Sequence, residues 1–231
     1  MFERHLRALR RLGYRSGGRA DLDGLAAGRR PDAPLAFLTF DDAYVDNHAV
    51  ALPLLREHGF RAMVFLIPPL VDAGAPLAWP EVTEQQRTHP HVMRSMTWAM
   101  VDELAEAGTE FGSHTLSHPK LPTLGDEELR QELLDARVRI RDRLGACDTI
   151  AYPFGHWDAR VERAAADAGY AYAFTLPHEA QATATALSIP RIPIDHRDEL
   201  PRFLAKLSPP GRTLLLSPLK ERLRGLRPRR A

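Results

Sequence analysis

The sequence predicts a single α/β domain built as a (β/α) barrel, and three observations carry that reading. Short apolar runs alternate with helical patterns along the chain, as parallel strands joined by helices do. No glycine-rich phosphate loop follows the first strand, so an open nucleotide-binding sheet loses support. The polar motifs instead follow several different strands, and a barrel gathers its chemistry at the C-terminal ends of its strands.

The expected strands are Leu35–Phe40, Ala62–Ile67, Thr109–Ser113, Thr149–Tyr152, Ala171–Thr175 and Ile189–Ile194. Several are nearly continuous apolar runs, as strands covered on both faces should be. Helices are expected over 47–58, 98–107, 126–144, 157–168 and 197–207. In the third, Leu129, Leu133, Ile140 and Leu144 form one stripe with charges elsewhere. Gly59, Gly108, Gly145 and Gly169 each follow a helical pattern, where a left-handed cap belongs. The segment Asp72–Thr97 reads as an insertion over the strand-end rim. One barrel domain over 1–208, with its motifs within 35–207, is followed by a basic tail at 209–231.

Composition narrows the function. The 231 residues are 44% hydrophobic and include one cysteine, Cys147, which excludes a disulfide framework and a Cys-based zinc finger. The longest apolar run, Ala62 to Val71, is too short to span a bilayer and is broken by Pro68 and Pro69. Charges nearly cancel, 31 Lys+Arg against 30 Asp+Glu, yet they are unevenly placed. Residues 1–19 hold six Arg and one Glu, and 209–231 hold seven basic residues and one Glu. The body between them has 28 acidic and 18 basic residues, which argues against nucleic-acid binding. The tail reads as a solvated terminus, with contact to an anionic membrane surface as its functional alternative. The first residues, MFERHLRALRRLGY, lack the apolar stretch of a secretory signal, so the sequence as it stands reads as cytoplasmic. An upstream start and export stay open.

Three segments carry chemistry. The first strand ends in Thr39-Phe40-Asp41-Asp42, and adjacent carboxylates after an apolar strand need a cation or hydrogen bonds to compensate them. The third strand runs into Ser113-His114-Thr115-Leu116-Ser117-His118-Pro119, where one helical turn would place both imidazoles on one side. Two His and one carboxylate make a three-ligand zinc site with an open position. The fourth strand exits through Tyr152-Pro153-Phe154-Gly155, aromatics that offer a wall for a sugar ring and backbone N–H groups that face the site.

Together and in this order, TFDD, SHTLSHP and YPFG resemble the polysaccharide deacetylase family, carbohydrate esterase family 4 with its NodB-homology domain. The likeness runs from about Leu35 to Leu207. It implies a distorted barrel of about seven strands and a divalent transition metal, usually zinc. Residue by residue it implies Asp42, His114 and His118 as ligands, Asp41 as general base, and the Phe154 backbone N–H as oxyanion donor beside Tyr152 and Pro153. The implied reaction is removal of N-acetyl groups from a glycan of N-acetylglucosamine-type units. An acidic body suits such a neutral or cationic polymer.

The sequence also departs from the family pattern. Ala43 stands where a Gly usually follows the two Asp, and Ala151 where an Arg often orients the base. Arg191 is the candidate replacement. The expected Leu-x-His acid motif is absent, leaving His178 or His196 as the general acid. The AYPFG form and a late PRI segment resemble the branch acting on exopolysaccharides such as poly-N-acetylglucosamine. An O-acetyl esterase or small-amide hydrolase of the same superfamily, and a non-catalytic glycan-binding descendant, are the alternatives. His48 and His58 read as surface positions, Trp98 as core, and Cys147 as inert.

Overall fold

The computed structural model describes residues 1–77, 79–177 and 184–210. Its first elements are α1 (Phe2–Arg11), β1 (Arg15–Ser16) and α2 (Arg19–Ala26), followed by β2 (Leu35–Ala36) and β3 (Thr39–Phe40). A π-helical turn, Asn47–Ala51, leads into α3 (Leu52–His58) and β4 (Met63–Leu66). Next come α4 (Pro68–Ala73), α5 (Thr83–Thr88), α6 (Trp98–Glu106), β5 (Glu110–Ser113) and α7 (Asp126–Leu144). β6 (Thr149–Ala151), α8 (Ala159–Asp167), β7 (Tyr172–Thr175), β8 (Ile189–Pro190) and α9 (Leu200–Leu207) complete the order.

Strands β3 to β8 form a six-stranded parallel sheet in sequential order, curled into a half-barrel with β3 and β8 at its edges. β1 and β2 pair separately, also in parallel. The run expected as one strand, Leu35–Phe40, is therefore two strands in two sheets.

Side chains alternate across the curled sheet, as the period of a strand requires. Met63, Phe65, Ala151, Tyr172 and Phe174 pack on Leu22 of α2. From the other face, Val64, Leu66, Ile150 and Ala173 meet Val101 and Leu104 of α6, Leu129, Leu133 and Ile140 of α7, and Val161 of α8. Both faces are covered, which explains why β4 and β7 are buried along their whole length.

Helix ends follow local chemistry. Asp158 caps α8 by accepting from the backbone N–H of Arg160 and Val161 at 2.9 and 2.8 Å. Helix α7 begins with Asp126, Glu127 and Glu128 and ends at Gly145, φ +84°.

Helix α1, which hydropathy did not mark, is amphipathic: Leu6 and Leu9 pack on Leu55, Phe60 and Phe203, so four of the N-terminal arginines ride on a docked helix. Helix α2 sits at the N-terminal ends of the strands. Its Arg19 N–H donates to Glu110, the first residue of β5, at 2.8 Å, and Asp23 accepts from the Tyr172 hydroxyl, at the start of β7, at 2.9 Å. Cys147 is buried, and burial pushes its thiol up to about 12, so it stays protonated. Among the described residues no helix is long and apolar enough to cross a membrane. The tail beyond residue 210 lies outside the described residues.

Candidate active site

Asp41 and Asp42 follow β3, His114 and His118 follow β5, and Phe154 follows β6, so three strand ends deliver the motifs to one rim. One donor atom each from Asp42, His114 and His118 lies within 4.8 Å of the others. The Nε2 atoms of His114 and His118 stand 3.5 and 3.6 Å from Asp42 Oδ1. Those gaps are too long for hydrogen bonds and suit ligands sharing one ion.

The two imidazoles do not converge on a helical turn. Residues 114–118 form a loop with left-handed backbone at Thr115 (φ +68°) and His118 (φ +63°). Short bonds hold it: Thr115 N–H donates to Ser113 Oγ at 3.1 Å and His118 N–H to Thr115 Oγ1 at 3.0 Å. From α7, the Glu132 carboxylate accepts from the N–H groups of Leu116 and Ser117, both at 2.9 Å, and from the Ser117 hydroxyl at 2.5 Å.

Strain concentrates here. The five non-glycine residues with positive φ among those described are Asp42, Ala43, Thr115, His118 and Phe154, and all lie within or directly beside the three motifs. Ala43, at φ +53°, takes the conformation a glycine adopts without cost. Gly155, at φ +69°, is required: a Cβ there would lie 2.5 Å from the Leu176 backbone N.

Orientation of the imidazoles is fixed as well. His114 Nδ1–H donates to the Ala151 carbonyl at 2.7 Å, which turns the Nε2 lone pair toward Asp42. Ala151 thus serves the site through its backbone carbonyl. Burial, with His114 adding to it, lowers His118 to about 3, leaving its imidazole neutral and ready to donate a lone pair.

The adjacent carboxylates differ sharply. Arg191, just past the edge strand β8, reaches across to the other edge and clamps both oxygens of Asp41 at 2.7 and 2.8 Å, with a further bond to Thr39 Oγ1 at 3.1 Å. Burial raises the Asp41 carboxyl, but His114 and the Arg191 clamp outweigh it and hold it below the usual carboxylate range. For Asp42, burial dominates; His114 opposes it, the Asp41 charge adds to it, and the carboxyl rises to about 6. Asp42 Oδ1 is buried and has no hydrogen-bond partner. A buried, orphaned carboxylate oxygen facing two imidazole nitrogens fits a divalent metal with N and O preference.

Several participants escape a motif reading. The Tyr44 hydroxyl lies close enough to the Asp42 carboxylate to lower it, a link the sequence offers only as a tyrosine two residues downstream. Trp79, from the insertion, stacks on His118 with centroids 4.4 Å apart and planes 15° apart. The Phe154 ring stands 4.7 Å from His118 on another side, and Lys120 lies 5.5 Å over Phe154. Glu132 had no signal beyond its place on a helix.

The remaining expected residues are dispersed. Tyr152 is fully buried and its hydroxyl donates to the Leu187 carbonyl at 3.1 Å, so it is core rather than a wall for substrate. Pro153 is buried in the turn that presents Phe154. His196 is exposed between Asp195 and Arg197 and makes none of the contacts that knit the cluster. His178 lies outside the described residues. His48 bonds Glu103 at 2.6 Å near the surface, whereas His58, expected at the surface, is buried because α1 covers the end of α3.

Comparison with known proteins agrees with this geometry. The polysaccharide deacetylase family model matches residues 28–173. The chain is a polysaccharide deacetylase family member. Among curated proteins it is 27% identical over 171 residues to YxkH of Bacillus subtilis, assigned as a polysaccharide deacetylase, covering 73% of this chain and 54% of that protein. It is 28% identical over 144 residues to the chitooligosaccharide deacetylase of Sinorhizobium fredii, covering 60% of this chain and 55% of that protein. The chain thus spans about half the length of these curated relatives. Among solved structures, the Streptococcus pyogenes deacetylase PplD superposes with TM-score 0.77 at 24% identity, covering 90% of this chain and 86% of that one. The BpsB deacetylase domain of Bordetella bronchiseptica gives 0.66 at 24% identity over 80% of this chain and 81% of its own. These likenesses establish a shared fold, the half-barrel of the NodB type.

Proposed function

We propose that this deacetylase family member is a metal-dependent hydrolase that removes N-acetyl groups from an amino-sugar glycan, an amide substrate of N-acetylglucosamine-type units. The observation that carries this reading is the pairing of an Arg191-clamped, ionised Asp41 with the adjacent Asp42–His114–His118 donor triangle. A binding module has no need of a base held ionised beside an orphaned carboxylate.

Asp42, His114 and His118 would hold the ion, which supplies Lewis acidity for amide hydrolysis when bound. Zinc or another divalent transition metal matches the donors. Asp41 accepts a proton from the attacking water at a carboxylate oxygen, and Arg191 fixes the orientation of that carboxylate while keeping it ionised. The Phe154 backbone N–H is the donor assigned to the developing oxyanion. Trp79 and Phe154 flank His118 and give the rim aromatic surface on which a pyranose ring can rest. The leaving amine requires a proton, and His178 or His196 is the donor assigned from sequence.

The reading is tested by acetate release from N-acetylglucosamine oligomers by zinc-loaded protein, beside an O-acetylated glycan at equal concentration. Amide turnover at least tenfold above ester turnover supports it. Ester turnover alone replaces it with an O-acetyl esterase, and glycan affinity without turnover of either replaces it with a binding protein.

A further inference from the structure

The fold leaves one more imidazole without a partner, at the opposite end of the strands. His58 is the last residue of α3, five residues before β4 begins at Met63, and its side chain is 3% exposed. Neither Nδ1 nor Nε2 has a hydrogen-bond partner. An imidazole that keeps a polar hydrogen and a lone pair out of water without a mate is rare in folded proteins.

Two carboxylates stand near it. His58 Nε2 lies 3.7 Å from Glu3 Oε1 of α1, beyond hydrogen-bond reach. Two ligands on one tetrahedral zinc stand roughly 3.3–3.6 Å apart, given metal–ligand lengths near 2.0–2.2 Å. The imidazole–carboxylate gaps of the candidate active site, 3.5 and 3.6 Å, are of the same kind. Glu57 supplies a third donor, and one atom each from Glu3, Glu57 and His58 lies within 4.8 Å of the others.

We propose that Glu3, Glu57 and His58 form a second divalent transition-metal site, with zinc as its ion, that clips α1 to the end of α3. The donor set selects the metal: imidazole nitrogen suits zinc and its neighbours, while calcium and magnesium prefer all-oxygen shells. Two carboxylates and a neutral imidazole also balance the ion's charge. Arg7 pairs with Glu3 one turn along α1, but that guanidinium is about half exposed and an exposed pair of this spacing is weak, so an ion can displace it. The site lies on the side of the barrel where strands begin, so its role is to anchor α1 on Leu55 and Phe60, away from the chemistry.

The test is zinc titration of chelator-treated full-length protein, read by calorimetry and by melting temperature. Wild type should take up two equivalents. The Asp42→Ala, His114→Ala double variant should take up one and still melt higher with zinc. Adding Glu57→Gln, an exposed position where folding is not at risk, should weaken that remaining site at least tenfold and abolish the zinc-dependent shift. His58→Gln in the same background should do likewise. If the double variant takes up no zinc, or a zinc that Glu57→Gln leaves unchanged, the clip is overturned. If wild type binds one equivalent and Glu57→Gln removes it, the clip stands and the Asp42 site is the one refuted.

Discussion

The two ends of the half-barrel are built from the same residue types and treat charge in opposite ways. Where strands begin, α2 closes the sheet through matched pairs, with the buried His58 imidazole at the end of α3 as the exception: Glu110 takes the Arg19 N–H, Asp23 takes the Tyr172 hydroxyl, and Arg15 pairs with Asp21 at 2.8 Å. Where strands end, Asp42 Oδ1 is buried without a mate, two imidazoles face it, and the left-handed residues gather around it. The α2 pairs tie the helix to the sheet, while the Asp42 cluster leaves a buried carboxylate oxygen uncompensated. The adjacent aspartates repeat the contrast in miniature, since Asp41 is matched by Arg191 while Asp42 Oδ1 has no hydrogen-bond partner.

The contrast can be broken from its strongest point. Asp42→Ala should reduce zinc affinity at the rim at least 100-fold and abolish acetate release. Because it removes an uncompensated buried carboxylate, the metal-free protein should melt no lower than wild type, as calorimetry can show. In wild type, metal binding requires Asp42 to lose its proton. Affinity should therefore fall as pH drops below about 6, where that carboxyl titrates in the metal-free protein, and hold steady above it.

Arg191→Ala should cost about 10- to 100-fold in kcat, in line with the loss of a positioned charge beside the base. It should also move the acidic limb of the pH profile. Arg191 lowers the Asp41 carboxyl, so removing it raises that group, and activity should fail at a higher pH than in wild type. At the other end, Glu110→Gln should cost about 1–2 kcal/mol of stability by weakening the hold on the first turn of α2. Its kcat should stay within twofold of wild type, since no rim group depends on it.

Much of this was legible in the sequence. Apolar runs between glycine-ended helices revealed β4 to β7 because strands covered on both faces write their burial directly into composition. The motifs marked Asp42, His114 and His118, which the fold brings together, because carboxylates and imidazoles after apolar strands need compensation. The split of Leu35–Phe40 was hidden, since the two halves share one hydropathy pattern and differ only in which strand they meet. Helix α2 was hidden because RADLDGLA contributes a single large apolar residue, Leu22, to the core. At the site, helical spacing suggested convergence of His114 and His118, but a left-handed loop propped by Glu132 produces it. Partners such as Tyr44, Trp79 and Glu132 act through distance in space, which no local pattern encodes. Arg191 was legible only as a substitute for an absent residue, and the edge-to-edge reach that makes it plausible required the fold.

In the proposed mechanism Asp41 and Asp42, neighbours in the chain, divide labour between base and ligand. The most direct measurement is kcat for acetate release together with bound zinc in Asp41→Asn. A loss of about 10²–10⁴ in kcat is expected, with one zinc still held at the rim and its affinity within a few-fold of wild type. Turnover equal to wild type, or loss of the rim zinc along with the activity, would contradict it.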